Sequence, residues 1–192
     1  FNSMAERPTI AIGASVNYGG YVASGTEIEG NSGKTGLGYG NTETSKRTEA
    51  MEVGFSSVFL ELNMMDRLTI GVEYMADGVE TDMESRTDTL VNSVSTTDDT
   101  GTSTVKVEFS DLTTAYAELR VFNGMYVKMG TMQIDVVSKE NLHTSSSYAD
   151  VTLDGLAYGV GYKNSWDNGV FLKTETMMHD WDNIKMTATS AD

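Results

Sequence analysis

The sequence predicts an all-β fold, an antiparallel up-and-down sheet whose strands each carry one apolar and one polar face. Three observations lead there. Apolar residues recur at period 2 rather than 3.6, with 19 Gly and one Pro among 192 residues, the pattern of half-buried strands. Short and long connections alternate strictly along the chain. Charge is nearly balanced on the strands, although the whole chain carries −15.

Seven strand segments follow in order. The first spans about 8–22, with Ile10, Ile12, Ala14, Val16 and Tyr18 on one face. The second spans about 50–64 and sets Val58, Leu60 and Leu62 against Phe59, Glu61 and Asn63; its early part, Met51, Val53 and Phe55, runs in the opposite phase, which predicts a bulge near Ser56–Ser57. The third has Leu68, Ile70, Val72 and Tyr74 on one face and Thr69, Gly71 and Glu73 on the other. The fourth, about 104–122, is read in a single phase: Val105 and Val107, then Ala115, Ala117, Leu119 and Val121, against Tyr116, Glu118 and Arg120. The fifth, about 125–137, sets Met125, Val127 and Met129 against Tyr126, Lys128 and Gly130. The sixth, about 152–163, has Leu156, Tyr158, Val160 and Tyr162 opposite Gly155, Ala157, Gly159, Gly161 and Lys163. The seventh, about 169–180, has Val170, Leu172, Thr174 and Met178 opposite Phe171, Lys173, Glu175 and His179.

The connections sort by length. Met65-Asp66-Arg67, Asn123-Gly124 and "NSWDNG" are tight, and Asn-Gly is a strong two-residue hairpin signal because both positions favour positive φ. The stretches 23–49, 77–103 and 138–150 are long and polar. All tight turns then fall at one end of the sheet and all long loops at the other. Greek-key sandwiches have no reason for such sorting; a transmembrane barrel with short turns on one side and long loops on the other does.

Composition narrows the function classes. A net charge of −15 disfavours nucleic acid, which needs clustered Lys and Arg. There are no cysteines, so disulfides and thiolate metal sites are excluded. No run reaches the ~20 apolar residues of a membrane-crossing helix, but strands cross with about 10 residues, alternate ones apolar. On the polar faces stand four acids, Glu61, Glu73, Glu118 and Glu175, and four bases, Arg120, Lys128, Lys163 and Lys173. Such a set is what a narrow lumen needs, because an unpaired buried charge costs several kcal/mol. The excess acid is in loops and at strand ends: residues 78–112 hold eight acids and two bases. Glycines on the polar face, such as Gly71, Gly130 and Gly161, fit either a tapering interior or a close backbone approach. Tyr18, Tyr74, Tyr158 and Tyr162 on the apolar faces fit aromatic girdles as well as ordinary strand preference.

Enzyme-like motifs do not hold together. "GNSGKT" has Ile28 where a phosphate loop needs its first Gly, and no helix follows it. "GLGYGN" also opens no helix. His143 lies in a Ser-rich stretch and His179 precedes Asp180, without further catalytic context. The sequence thus predicts no enzyme, no cofactor and no dedicated metal site. "HDWDN" and the acidic loop offer hard oxygen ligands for divalent cations such as Ca²⁺ or Mg²⁺, without the EF-hand spacing.

"NGMYVKMGTMQIDV" followed by "LDGLAYGVGYKNSWDNGVFLKTE" resembles a bacterial outer-membrane β-barrel, of the small eight-stranded kind, with porin-like barrels as larger relatives. The resemblance covers about 8–181. It implies a single barrel domain over 1–192, an antiparallel up-and-down transmembrane β-barrel of about eight strands in the bacterial outer membrane, with any signal peptide removed. Outer-membrane lipid would then meet Leu68, Ile70, Val72, Tyr74, Leu156, Tyr158, Val160 and Tyr162. Glu61, Glu73, Glu118, Arg120, Lys128, Lys163, Lys173 and Glu175 would form a lumen charge network. The role implied is structural, in surface interaction, or as a narrow channel or porin. The chain departs from the pattern at "NIKMTATSAD", which has no terminal aromatic strand, so the final strand is expected to be missing or to begin within 183–192. The rival expectation is a soluble secreted β-sandwich or fibre-like binding module, extracellular, with the apolar faces packed on a second sheet. The sequence sets no oligomeric state.

Overall fold

The computed structural model describes residues 8–30, 42–64, 66–75, 77–90, 99–142 and 147–187. They form one antiparallel sheet with nine strands. β1 (Thr9–Gly30) and β2 (Thr42–Asn63) pair along their full lengths. β3 (Leu68–Met75), β4 (Val79–Glu80) and β5 (Glu84–Leu90) follow one another along the same side of β6 (Asp99–Phe122). They form one interrupted lane, so nine strands make a seven-lane meander, completed by β7 (Met125–Asn141), β8 (Val151–Ser165) and β9 (Phe171–Trp181). Each lane neighbours the next in sequence, with no Greek-key crossover and no second sheet among the described residues. The sandwich expectation is not met.

Two of the tight turns are built by the residues that predicted them. Asn123 and Gly124 have φ of 44° and 80°, and Gly169 in the turn before β9 has φ 86°. The long connections are more ordered than expected. Much of 23–49 extends the β1–β2 hairpin, much of 77–103 is β4, β5 and the start of β6, and β7 runs on to Asn141. These extensions are polar on both faces and are held by backbone ladders, which leave no apolar period in the sequence.

The sheet is curled into a half-barrel. Its cross-strand rows are slanted. The row containing Gly13 and Phe59 runs through Glu73, Thr114, Met132 and Gly155 to Trp181. Yet the Phe59 ring meets Phe171 at 6.0 Å, ten positions down β9, and Trp181 stacks on Tyr21 at 6.5 Å, eight positions up β1. Both offsets have the same sense. Strands that tilt and stagger in this way are what a curling sheet requires.

The two faces are unlike. The convex face exposes large apolar side chains: Val16 is 90% exposed, Ile12 75% and Ile10 74%. The concave face is buried in two strata. Towards the tight turns it is charged. Towards the loops it is apolar, with Met75, Leu112, Met132, Ile134, Val136 and Ala157 packed against Phe55, Val107, Phe109 and Trp181.

That apolar stratum corrects two readings of phase. No bulge occurs at Ser56–Ser57, because β2 keeps an unbroken register with β1. Val53 and Phe55 face inward because the interior changes character there, and the backbone continues unchanged. The bulge lies in β6 instead. Between Ser110 and Thr113, three steps on β6 oppose two on β7, and Asp111 takes φ 54°. Above it Val107 and Phe109 point inward, into the apolar stratum; below it Leu112, Thr114, Tyr116 and Glu118 point inward, while Ala115, Ala117 and Leu119 face outward. The single phase expected for 104–122 is therefore broken by one inserted residue.

Candidate functional site

The charged stratum is built from alternate residues of β2, β3, β6, β7, β8 and β9, so strand pleating alone aims each side chain inward. Lys173 is its hub. Its ammonium lies 2.5 Å from Glu61 and 3.1 Å from Glu175, and it also pairs with Glu118. Lys163 reaches Glu61 at 3.1 Å. Lys128 bridges Glu175 at 2.9 Å and Glu73 at 3.3 Å. The Glu61 side chain is 0% exposed and that of Lys128 4%. Groups so far from water persist only when ion pairs and hydrogen bonds replace their hydration.

Tyrosines and hydroxyls complete that replacement. Tyr116 donates to Glu61 at 3.0 Å and Tyr126 to Glu175 at 2.5 Å. Ser15 and Ser57 donate to Glu73 at 2.8 and 2.5 Å, and the Asn17 amide donates to Ser57 at 3.0 Å. The Lys128 ammonium stands 3.9 Å above the Tyr116 ring and that of Lys163 4.3 Å from Phe171, within the range of cation–π attraction.

Glycine makes room for the rings. Gly71 is the row mate of Tyr116, and Gly161 that of Tyr126. A Cβ at Gly71 would stand 2.5 Å from the Tyr116 ring, and one at Gly161 would likewise run into Tyr126. Each tyrosine lies flat across its glycine, which is the close approach that strand glycine permits.

Seven of the eight charged residues singled out in the sequence are brought together. Arg120 is the exception. It sits at the exposed tight-turn end of β6 and makes no ion pair among the described residues. The set is thus four carboxylates against three ammoniums, and the hydroxyls on Glu73 make up the difference. Sequence reading placed Tyr116 and Tyr126 on the polar face without giving them a role. Their spacing, two residues from Glu118 and Lys128, was the available signal. Ser15, Ser57 and Asn17 carried none.

The eight apolar residues all lie on the convex face. Leu68 is half-buried, while Ile70, Val72, Tyr74, Leu156, Tyr158, Val160 and Tyr162 are exposed. Near its loop-side border, Tyr18 donates to Glu52 at 2.6 Å and Tyr74 donates to Asp111. Beyond the β6 bulge the outer face turns ionic: Glu80 accepts from Lys106 and Lys139, and Lys139 also pairs with Glu108. These bonds, that from Lys106 first, hold the Glu80 carboxyl below the usual carboxylate range, and the bond to Glu108 raises the Lys139 ammonium above its own.

His179 packs edge-on to Trp181 at 6.3 Å; His143 lies outside the described residues. Among the described residues no three His, Asp or Glu converge to hold a metal, and part of the acidic stretch expected to attract divalent cations, 91–98, lies outside them. No helix among the described residues is long and apolar enough to cross a membrane. No family model, curated protein or solved structure matches the chain.

Proposed function

We propose that this chain is the wall of a bacterial outer-membrane β-barrel, with lipid against the convex face and a filled interior. The observation that carries the proposal is the inversion of polarity. Ile10, Ile12, Val16, Leu60, Val72 and Leu172 face outward while Glu61, Glu118 and Lys128 are buried. In water that arrangement exposes the apolar side and desolvates the charged one, both unfavourably. In a bilayer the apolar side meets hydrocarbon and the cost of its exposure disappears. Tyr18 and Tyr74 at one border of the apolar band, and Tyr162, Phe122 and Trp166 near the other, suit the two interfacial girdles.

One further strand between β1 and β9 would make the lanes even and remove both edges, as lipid demands. An eight-stranded barrel has an interior that side chains fill. The ion pairs and the apolar stratum fill this one, which favours a structural or surface-interaction role over an open conduit. The acidic loop-side end would then face the exterior.

The chain has no cysteines, so single-cysteine variants can be labelled uniquely. A nitroxide scan of residues 69–74 in liposomes tests the proposal. Labels at Ile70, Val72 and Tyr74 are expected to relax with dissolved oxygen, and those at Thr69 and Glu73 to be shielded from it; Gly71, which lies against the Tyr116 ring, is left unlabelled. A chain that stays in the aqueous phase, with Ile70 and Val72 labels open to a water-soluble nickel reagent, would sink it.

A further inference from the structure

The charged stratum does not extend to the tight-turn end of the concave face. Below it lies a cavity of about 440 Å³, between the turn that precedes β3 and the turn that precedes β9. Arg67 and Arg120 both line it, and they are neighbours: the Arg120 N–H donates to the Arg67 carbonyl at 2.8 Å. Neither guanidinium has a carboxylate partner among the described residues, in a chain with 28 acids and 13 bases. Lys163 borders the same space, already engaged by Glu61, and the Glu118 carboxylate there is taken by Lys173. Asp66 is the remaining acid on the wall.

We propose that this mouth is a binding site for small oxyanions, phosphate-bearing or carboxylate solutes, gripped between Arg67 and Arg120. Arg67 and Arg120 face each other across neighbouring strands through that backbone bond, a placement in which like charges repel, and a shared anion relieves that repulsion. Guanidinium groups also match the paired oxygens of phosphate and carboxylate in geometry. The hydroxyl of Ser165, on the opposite wall, supplies a neutral donor. The ion-paired stratum above makes the cavity blind, so the anion is held and does not pass through. The anion contacts proposed, Arg67, Arg120 and Ser165, do not depend on which solvent meets the convex face.

The test is a titration of the full folded chain with inorganic phosphate, and separately with acetate, followed by backbone amide NMR. It is run in detergent micelles, or in buffer if the chain proves soluble. Saturable shifts are expected at Arg67, Thr69, Arg120 and Ser165, with phosphate binding more tightly than acetate because two charges answer two arginines. Arg120→Gln is expected to weaken phosphate about tenfold, the loss of one charge-assisted contact. Arg67→Gln, in a turn where folding is least at risk, should do the same. Arg47→Gln, at the far end and paired with Glu49 and Glu84, should change nothing. Linear, unsaturable shifts, or equal weakening by Arg47→Gln, would overturn the site, as would a titration unaffected by Arg67→Gln. Failure of the lipid-facing proposal would appear in the nitroxide scan and leave this titration untouched.

Discussion

Glu61 and Lys173 make a 2.5 Å ion pair across the concavity although they are not in register. The row from Glu61 passes Gly71, Tyr116, Gly130 and Ala157 and ends at His179, six positions beyond Lys173. The pair exists because the tilted sheet brings the lower part of β9 across to β2. It therefore reports curvature as well as charge balance.

Removing Lys173 should be costly. Lys173→Met leaves Glu61 with Lys163 and the Tyr116 hydroxyl and takes the hub from Glu118. A destabilisation of about 3–5 kcal/mol is expected, as for a buried pair that loses one partner. Urea unfolding in micelles measures it. Glu61→Gln combined with Lys173→Met should cost clearly less than the two single changes added together. Strict additivity would show that the two groups do not depend on each other.

Gly71→Val tests the packing of the ring that holds Glu61. The new side chain occupies the place of the Tyr116 ring, and the hydroxyl that donates to Glu61 at 3.0 Å must move with it. Overpacking of this kind costs about 1–3 kcal/mol. Gly20→Val, where a Cβ meets nothing within 4 Å, is the matched control and should be near neutral by the same unfolding assay.

Deleting Asp111 tests the bulge. With one residue fewer, β6 alternates without interruption, and a one-residue slip exchanges the two faces of a strand. Either Val107 and Phe109 turn outward as Lys106 and Glu108 turn in, or Tyr116 and Glu118 turn outward below the bulge. The variant is expected to lose the folded state, seen as loss of protease resistance. Asp111→Asn, which tolerates positive φ and keeps an acceptor for Tyr74, should retain it. Normal folding of the deletion would remove the bulge from any role in setting the faces.

The outer cluster beyond the bulge should respond to acid. The Glu80 carboxyl is lowered in the folded state, so its contribution is fully present above its ordinary carboxylate pKa. That contribution is lost as pH falls through the lowered value. Lys139 is raised, so its contribution holds through neutral pH and is lost only as alkali passes its raised value. Carboxyl-selective NMR should give Glu80 a midpoint below that of free Glu, moving up in Lys139→Met. An unmoved midpoint would disconnect the two.

The strand β7 shows how much was legible. Tyr126, Lys128 and Gly130 alternate with Met125, Val127 and Met129 without a break, and the turn before them is Asn-Gly, so sequence and structure agree. β2 and β6 show where legibility ends, and the two misreadings mirror each other. In β2 a change of interior from charged to apolar looked like a bulge. In β6 a true bulge was invisible, because Val105 and Val107 happen to share parity with Ala115 and Ala117. Periodicity records which residues are greasy and leaves open which side greasiness belongs to. Arg120 has the parity of the charged set but stands at the strand end, with no carboxylate in ion-pair reach among the described residues. Its proximity to Arg67 depends on pairing between strands, which no local pattern encodes.

Glu61 is 112 residues from Lys173 and 102 from Lys163 along the chain. These bonds cannot form inside any hairpin; they wait until β8 and β9 have arrived across the concavity from β2. Closing so large a loop is slow and precedes any reward from the contact. The belt therefore serves as a late latch. Weakening it should mainly hasten opening and leave early strand pairing alone, since contacts absent from the transition state act on the unfolding rate. The persistence of the assembled wall, its lifetime more than its speed of assembly, is then set by a few lysines at its centre.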